Sequence, residues 1–292
     1  MLARVSHTGG ETTLTRQIIR QTVLRAVETN KQLVHVVDQF AQAAVRDSLP
    51  EFGFFETDEG WMKMNVLQCG SAEEIAALVA GMRHECVEDE GIDELANRVR
   101  EVDSAESVAY YEQWLWPGKV CSGHLPTYII PIQPCWAADL IDESLASRRL
   151  FGRAERLALN VEGVYYRSAR LRLKAPARIL WYVSSDEDQQ VSSIRACSAL
   201  VAAEIGLPKD LYRTYKRLGV YRWEQVYETA GKDAGKKIMA VRFSGTELLS
   251  KVVRYDALKA MLRDEFGVKT NFEGPTRIPE SAFLKIYRMA RR

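Results

Sequence analysis

A run of basic and aromatic side chains, LYRTYKRLGVYRWEQVY (residues 211–227), is the part of the sequence best suited to binding chemistry. Arg213, Lys216 and Arg217 are spaced by three and four residues, so one helix face can display all three. The aromatic residues that interleave with them are Tyr215, Tyr221 and Trp223. Guanidinium and ammonium groups neutralise phosphates, and aromatic faces stack on bases at roughly 1–3 kcal/mol each. The pattern predicts nucleic-acid binding; the alternative is an aromatic core face beneath a solvated charged face.

The distribution of charge favours the same interpretation. Residues 151–292 carry 27 Lys and Arg against 16 Asp and Glu, a net charge of +11, although the whole chain has a formal net charge of only +1. The first 150 residues therefore carry 13 basic and 23 acidic residues, a net charge of −10. A basic half favours a polyanionic partner such as nucleic acid. The alternative is that the two halves attract each other.

Composition and length set the class of the protein. The chain has 292 residues, of which 47% are hydrophobic and 27% charged, which is typical of a globular protein of about two domains. No stretch approaches the roughly 18 apolar residues of a membrane span, and MLARVSHTGGETTL lacks the apolar segment of a secretory signal. Five irregularly spaced cysteines are typical of reduced thiols. We therefore expect a cytoplasmic location and no membrane partner.

The sequence of the first half of the chain predicts five helices and three strands before a domain boundary. Residues 13–29 have a helical apolar stripe, KQLVHVV reads as a strand, QFAQAAVRDSL as a helix, and residues 51–67 as two strands around Asp-Glu-Gly. Ser71 and Glu74 form a capping box at the start of a helix. Two more acidic helices, GIDELANRVREV and SAESVAYYEQWLW, follow and end at Trp116-Pro117-Gly118. The predicted division is an α/β segment over 1–68, a helical linker over 69–122 and a basic domain over 123–292.

The second half alternates strands with short helices. YIIPI precedes a helix, and RLALN (156–160) and GVYYRSARLRL read as strands. ILWYVSS and IRACSALV flank an acidic turn as a hairpin, and LPKDLYRTYKRLG and RWEQVYETA read as short helices. KKIMAVRFSG and ELLSKVV read as two strands before the helices YDALKAMLRDEF and PESAFLKIYRMARR. This order predicts an α+β fold with a small mixed β-barrel.

The succession of motifs from about residue 123 to 292 resembles the ASCH domains, a branch of the PUA-like barrels. YIIPIQPCWAADLID is similar to the opening strand, Pro and Ala-containing helix of that family, and ILWYVSS with IRACSALV to its hydrophobic hairpin. LPKDLYRTYKRLGVYRWEQVY and IPESAFLKIY are similar to its later Pro-led helices. The resemblance implies a PUA-like barrel that binds RNA or a modified nucleotide.

One departure from the family concerns catalysis. The ASCH signature Gly-x-Lys-x-x-Glu-x-Arg, laid on NVEGVYYR, leaves only Arg167 in register, because Glu162 and Tyr165 stand at the Lys and Glu positions. The groups that would support hydrolysis are therefore missing. We expect binding and no catalytic residues in this domain.

The resemblance also implies a second set of ligand-binding residues, which flank the strands that line the family's pocket. They are Arg167, Trp181, Ser184, Arg195 and Ser198. An arginine can bind a base edge or phosphate with two hydrogen bonds, and an indole can stack on a base. The alternative for Trp181 is core packing, and Arg195 in an apolar strand demands a partner of some kind.

Residues 10–67 resemble the C-terminal half of a GNAT acetyltransferase, on the order helix, strand, helix, the turn EFGFF and a Trp-Met-Lys strand. Such enzymes hold acetyl-CoA with a glycine-rich loop, and here only Gly9-Gly10 lies near that place. The resemblance implies a partial scaffold, with an N-acyltransferase completed by dimerisation as the alternative.

The histidines and cysteines do not form a metal-binding or nucleophilic pattern. His84, Cys86, Cys121 and His124 could supply four zinc ligands, but His-x-Cys on a helix points its two side chains apart. No histidine occurs in residues 125–292 to activate Cys135 or Cys197. The sequence therefore predicts no metal and no cofactor.

The function that these observations predict is nucleic-acid binding, to RNA rather than DNA. The alternatives are the acyltransferase and a regulatory interaction protein of the toxin–antitoxin or stress type. The acidic first half is the candidate surface for a protein partner, and a homo-oligomer is compatible with all three hypotheses.

Overall fold

The computed structural model describes residues 11–37, 43–82, 89–142, 145, 162–186 and 190–291. The chain divides into two compact units, residues 1–125 and 126–292. The predicted strand RLALN, Gly9-Gly10, His84 and Cys86 lie outside the described residues. Within the described residues, no helix combines the length and apolar character needed to cross a membrane.

The first part of unit 1 follows the predicted order of elements. These are α1 (Glu11–Glu28), β1 (Leu33–Val37), α2 (Ala43–Ser48), a 3-10 turn (Leu49–Phe52), β2 (Phe55–Thr57) and β3 (Gly60–Met64). The strands form an antiparallel sheet in the order β1-β3-β2. Element order alone does not define an acetyltransferase, and the expected GNAT-like layer is not confirmed.

The second part of unit 1 is mainly helical. Its elements are β4 (Cys69–Ser71), α3 (Ala72–Ala80), α4 (Asp89–Arg100), α5 (Ala105–Trp114) and β5 (Lys119–Cys121). The capping box is confirmed: Glu74 N donates to Ser71 Oγ at 3.1 Å, and Ser71 N donates to Glu74 Oε2 at 2.8 Å. The sequence analysis missed the parallel pairing of β4 with β5.

The end of α5 lies against the turn that precedes β2. Gly53 has φ +76°, and a Cβ added there would approach the Trp114 carbonyl oxygen to 2.6 Å, so glycine is required on both counts. Lys63 on β3 is 1% exposed, and its Nζ donates to the same Trp114 carbonyl at 2.6 Å. Burial lowers the pKa of Lys63 to about 7, because the desolvated ammonium is disfavoured.

Unit 2 contains a six-stranded sheet with helices. Its elements are β6 (Thr127–Ile132), α6 (Pro134–Leu140), β7 (Glu162–Ser168), β8 (Ala177–Val183), β9 (Ser193–Gly206), α7 (Pro208–Tyr215), α8 (Trp223–Thr229), β10 (Ile238–Arg254), α9 (Tyr255–Phe266), β11 (Thr276–Ile278) and α10 (Glu280–Arg291). The strand order is β11-β6-β8-β9-β10-β7, with β6 and β8 parallel and the other pairs antiparallel. The predicted β8–β9 hairpin is confirmed.

The expectation of a barrel needs correction. Closing a barrel requires the two edge strands to pair. Within the described residues β7 pairs only with β10 and β11 only with β6, so the sheet is open. The fold is α+β, as expected, without a closed barrel in the described part of the chain.

The two strands predicted over KKIMAVRFSG and ELLSKVV are one strand, β10. Its pairing with β9 shifts register at three places, between Arg242 and Phe243, between Ser244 and Glu247, and between Leu248 and Val253. Bulges of this kind bend a strand without ending it. The Ser244-Gly245 pair therefore marks a bend in β10 rather than a turn.

We predict that replacing Lys63 with Met flattens the dependence of stability on pH. The unfolded lysine has a pKa near 10.4 and the folded one about 7, so the unfolded state binds more protons between these values. Stability should therefore rise with pH above 7, by about 2 kcal/mol between pH 7 and pH 9 from this group alone. Urea unfolding of wild type and Lys63→Met at several pH values measures the difference, and equal slopes would contradict the prediction.

Candidate nucleic-acid interface

Helix α7 is amphipathic, and its sequence explains its position. Pro208 stands in the first turn, where a missing N–H costs no hydrogen bond, and Leu207 before it is extended. Leu211 and Tyr215, four residues apart, are each 6% exposed and face the core. The Tyr215 hydroxyl donates to the carboxylate of Glu204 on β9. Burial, together with this bond, raises the pKa of Tyr215 to about 12 and keeps the hydroxyl protonated.

The opposite face of α7 opens onto a pocket of about 500 Å³. We call this cavity the α7–α8 pocket. It is lined by Lys209, Tyr212, Arg213, Lys216 and Trp223. The four residues from α7 and its C-cap follow the spacing i, i+3, i+4, i+7, which places them on one helix face. Two aromatic rings and three cationic side chains therefore meet at one concave surface.

Trp223, the first residue of α8, contributes the largest ring to this pocket. Its ring centroid lies 5.8 Å from that of Tyr212 and 5.7 Å from that of Tyr227, the latter pair stacked at 21°. The start of α8 is held by Gln225, whose Oε1 accepts from Arg222 N at 2.8 Å, and Val226 anchors the helix in the core. The indole is thus half-buried and oriented by its own helix.

The charges of the α7–α8 pocket are poorly neutralised by the protein. Arg213 approaches Asp210 at 3.6 Å, but the side chains are 79% and 61% exposed, and such surface pairs contribute little. Within the described residues, Lys209 and Lys216 form no ion pair. Arg217 is exposed but does not line the pocket. The pocket is therefore electropositive.

A second group of polar and aromatic residues lies between α6 and β7. This inner cluster comprises Cys135, Trp136, Tyr165, Arg167 and Tyr221. Tyr221 is 6% exposed and packs on Trp136 at 4.3 Å between ring centroids. In the described part of the chain, Arg167 Nη1 is buried without a hydrogen-bond partner, whereas the Tyr221 hydroxyl accepts a hydrogen bond from the Tyr166 backbone.

Burial determines the protonation of the inner cluster. It raises the pKa of Tyr221 well above its usual value, and nearby Tyr165 and Cys135 raise it further. Burial lowers the pKa of Arg167, and Tyr165 partly opposes this effect. Tyr165 itself donates to the Pro131 carbonyl at 3.4 Å. At neutral pH the hydroxyls of Tyr165 and Tyr221 are therefore protonated.

Trp181 and Ser198 belong to the core of the sheet. Trp181 is 0% exposed, and its Nε1 donates to Ser198 Oγ at 2.8 Å. Ser198 Oγ also lies 2.8 Å from Thr246 Oγ1, and the Trp181 ring packs edge-on against Phe243 at 4.9 Å. The indole N–H is satisfied inside the protein.

Arg195, which lies in an otherwise apolar strand, is paired with an acidic side chain. Its Nε donates to Asp142 Oδ2 at 2.6 Å, and the Asp142 side chain is only 4% exposed. Ser184 Oγ donates to the Ile132 carbonyl at 3.3 Å. Arg195 and Ser184 therefore bind groups of the chain itself and do not join the α7–α8 pocket.

The structure brings together Arg213, Lys216 and Trp223 from the predicted residues and adds two that sequence reasoning missed. Lys209 and Tyr212 line the same pocket, and their helical spacing with Arg213 and Lys216 was the signal that could have found them. Tyr221 and Arg167 lie in the inner cluster. Among the described residues, no group of three or more potential metal ligands is found.

No protein-family model matches the chain, and no curated protein matches it. Among solved structures, the chain is similar to ASCH from Zymomonas mobilis, at 18% identity and a TM-score of 0.41, over 56% of this chain and 94% of that one. It is also similar to a Rhodopseudomonas palustris protein solved by NMR, at 12% identity and a TM-score of 0.34, over 57% and 93% of the two chains. A third neighbour is the N-terminal domain of McrB from Staphylothermus marinus, at 11% identity and a TM-score of 0.33, over 56% and 93%.

We predict that Ser198→Ala lowers the free energy of unfolding by about 1–3 kcal/mol, because it leaves the buried Trp181 N–H without an acceptor. Chemical denaturation measures the loss. The exposed Ser250 on β10 provides a matched control, and Ser250→Ala should leave stability within about 0.5 kcal/mol of wild type. An unchanged free energy of unfolding in Ser198→Ala would show that the hydrogen bond between Trp181 and Ser198 does not stabilise the protein.

Proposed function

We propose that this protein binds single-stranded nucleic acid, RNA in preference to DNA, through the α7–α8 pocket. The observation that carries the proposal is the convergence of three cationic and two aromatic side chains on one concave surface of about 500 Å³. Backbone phosphates and exposed bases are the two chemical groups that such a lining recognises together.

The cationic side chains supply the electrostatic part of binding. Lys209, Arg213 and Lys216 lie along one face of α7, so successive phosphates of a strand can follow the helix. The weak pairing of Arg213 with exposed Asp210 leaves its guanidinium able to exchange that carboxylate for a phosphate. This part of the interaction is independent of sequence and sensitive to salt.

The aromatic side chains supply the part that requires unpaired bases. The Tyr212 and Trp223 rings are tilted by 56° to each other, and Trp223 is already stacked on Tyr227. A base that stacks in the pocket must leave its own helix, which favours the loops and single-stranded ends typical of RNA targets.

The inner cluster extends the proposed site. Arg167 Nη1 lacks a partner in the described chain, and a buried donor without an acceptor is costly. A nucleotide bound in the inner cluster would supply an acceptor for Arg167, through a base carbonyl or a phosphate oxygen. In this proposal the inner cluster holds one nucleotide while α7 and α8 hold the backbone.

The proposed role is binding without catalysis. The order of elements from β6 to α10 supports an ASCH/PUA-like domain, in which Glu162 and Tyr165 replace the Lys and Glu of the family signature. Glu162 is engaged by Arg242 at 3.6 Å, and Tyr165 by the Pro131 carbonyl. A protein partner for the acidic first half and a homo-oligomer stay predictions.

We predict that the 292-residue chain binds a fluorescein-labelled single-stranded RNA and that affinity falls with salt. Three phosphate contacts contribute a slope of about −2 in log K against log salt. The triple variant Lys209→Ala, Arg213→Ala, Lys216→Ala should lose that part of the slope and bind at least about tenfold more weakly at low salt. Fluorescence anisotropy measures both the affinity and the salt slope. Salt concentrations from about 50 to 200 mM are suitable, because phosphate contacts lower the affinity strongly over this range.

A control for net charge removes three exposed cations that do not line the pocket, with Lys251→Ala, Arg254→Ala and Lys269→Ala. This variant has the same charge as the first and should retain most of the affinity. Equal losses of affinity in the two variants would show that binding depends on net charge alone, and would contradict RNA binding at the α7–α8 pocket. The same strand as DNA tests the preference for RNA.

We predict that Trp223→Ala weakens RNA binding without changing the salt slope, because stacking involves no counterion release. The expected loss is about 1–3 kcal/mol, which is roughly 5-fold to 150-fold in affinity. Tyr110, an aromatic residue of unit 1 that is 51% exposed, provides the control Tyr110→Ala. A Trp223→Ala protein that keeps its circular dichroism spectrum and wild-type affinity would exclude stacking on this ring.

A further inference from the structure

Two cysteines far apart in the sequence lie side by side in unit 1. Strands β4 and β5 pair in parallel with Cys69 opposite Lys119 and Ser71 opposite Cys121. Residues two apart on a strand share a face, so both thiols project from the same side of this two-stranded sheet. The distance from Cys69 Sγ to Cys121 Sγ is 3.7 Å.

We infer that Cys69 and Cys121 form a reversible disulfide, a redox modification site in unit 1. A disulfide bond is about 2.05 Å long, so the two sulfur atoms are about 1.6 Å from bonding distance. The two cysteines lie on a diagonal of the ladder, and bond formation requires rotation about χ1 with a small shift of the strands. In the described ladders β4 and β5 pair only with each other, so no third strand opposes that shift.

The exposure of the two thiols suggests an order of reaction. Cys121 is partly exposed, whereas Cys69 is 8% exposed. The Cys121 thiolate attacks one sulfur of a low-molecular-weight disulfide such as oxidised glutathione and releases one thiol. The Cys69 thiolate then attacks the Cys121 sulfur of the mixed disulfide and releases the second thiol. The protein loses two protons and two electrons, and the co-reactant gains them as two thiols.

The bond would close a loop that contains α3, α4 and α5. Ser71, two residues after Cys69, is the N-cap of α3, and the N–H of Val120 donates to the Glu112 carboxylate of α5 at 2.9 Å. A covalent link between β4 and β5 would therefore tie together segments that contact two helices of unit 1. Oxidation should stabilise this unit, because closing a long loop restricts the unfolded chain.

The test uses the 292-residue chain, incubated with oxidised glutathione and then alkylated. We expect the free thiols counted after denaturation to fall from five to three and to return to five with dithiothreitol. The melting temperature of the oxidised protein should rise by about 5–10 °C. Five remaining thiols, or a lasting mixed disulfide with glutathione, would overturn the inference.

Mapping identifies the pair. Trypsin isolates Cys69 in residues 64–83, but residues 120–148 contain both Cys121 and Cys135, so the map is made on the Cys135→Ser variant. A linked 64–83/120–148 peptide that separates on reduction supports the assignment, and a link involving Cys86 or Cys197 contradicts it. Cys121→Ser alters the less buried thiol and should lose both the link and the rise in melting temperature, whereas Cys86→Ser should keep both.

Discussion

The burial of Leu211 and Tyr215 on one face of α7 determines where the charges of that helix lie. With these two side chains in the core and Tyr215 bound to Glu204 of β9, the helix cannot rotate without losing both contacts. Its remaining face must then present Lys209, Tyr212, Arg213 and Lys216 to the pocket. A core contact thus produces a cationic surface, and Trp223 completes it from the next helix.

Two other arginines of unit 2, Arg178 and Arg195, are paired with carboxylates of the protein itself. Arg195 is paired with Asp142, and Arg178, 1% exposed, is paired with Glu280 at 3.2 Å and lies over the Phe283 ring at 4.6 Å. Burying a charge is costly, and a carboxylate partner offsets part of that cost. These pairs use the cations for internal structure. The α7–α8 pocket and Arg167 keep donors and charge that the described chain does not consume.

Local signals in the sequence predicted much of this architecture. The capping box at Ser71, the β8–β9 hairpin and the helical spacing in residues 208–215 each depend on neighbouring residues alone, and each is present. β4, β5 and β11 were missed because each has three residues and pairs with a strand distant in the sequence, whereas the equally short β2 is joined to β3 by a turn. β10 was divided in two because Ser-Gly within an apolar run looks the same for a bulge and a turn. The partner of Arg195 lies 53 residues away and has no local signal.

The open sheet of unit 2 has a consequence for how the protein is made. Edge strand β7 pairs only with β10 among the described strands, and β10 follows it after β8, β9, α7 and α8. Such non-local pairing is slow, because a long loop must close before its contacts form. On the ribosome β7 would emerge well before β10, its partner among the described strands. The pairing that completes this edge of the sheet must therefore wait for the last third of the chain.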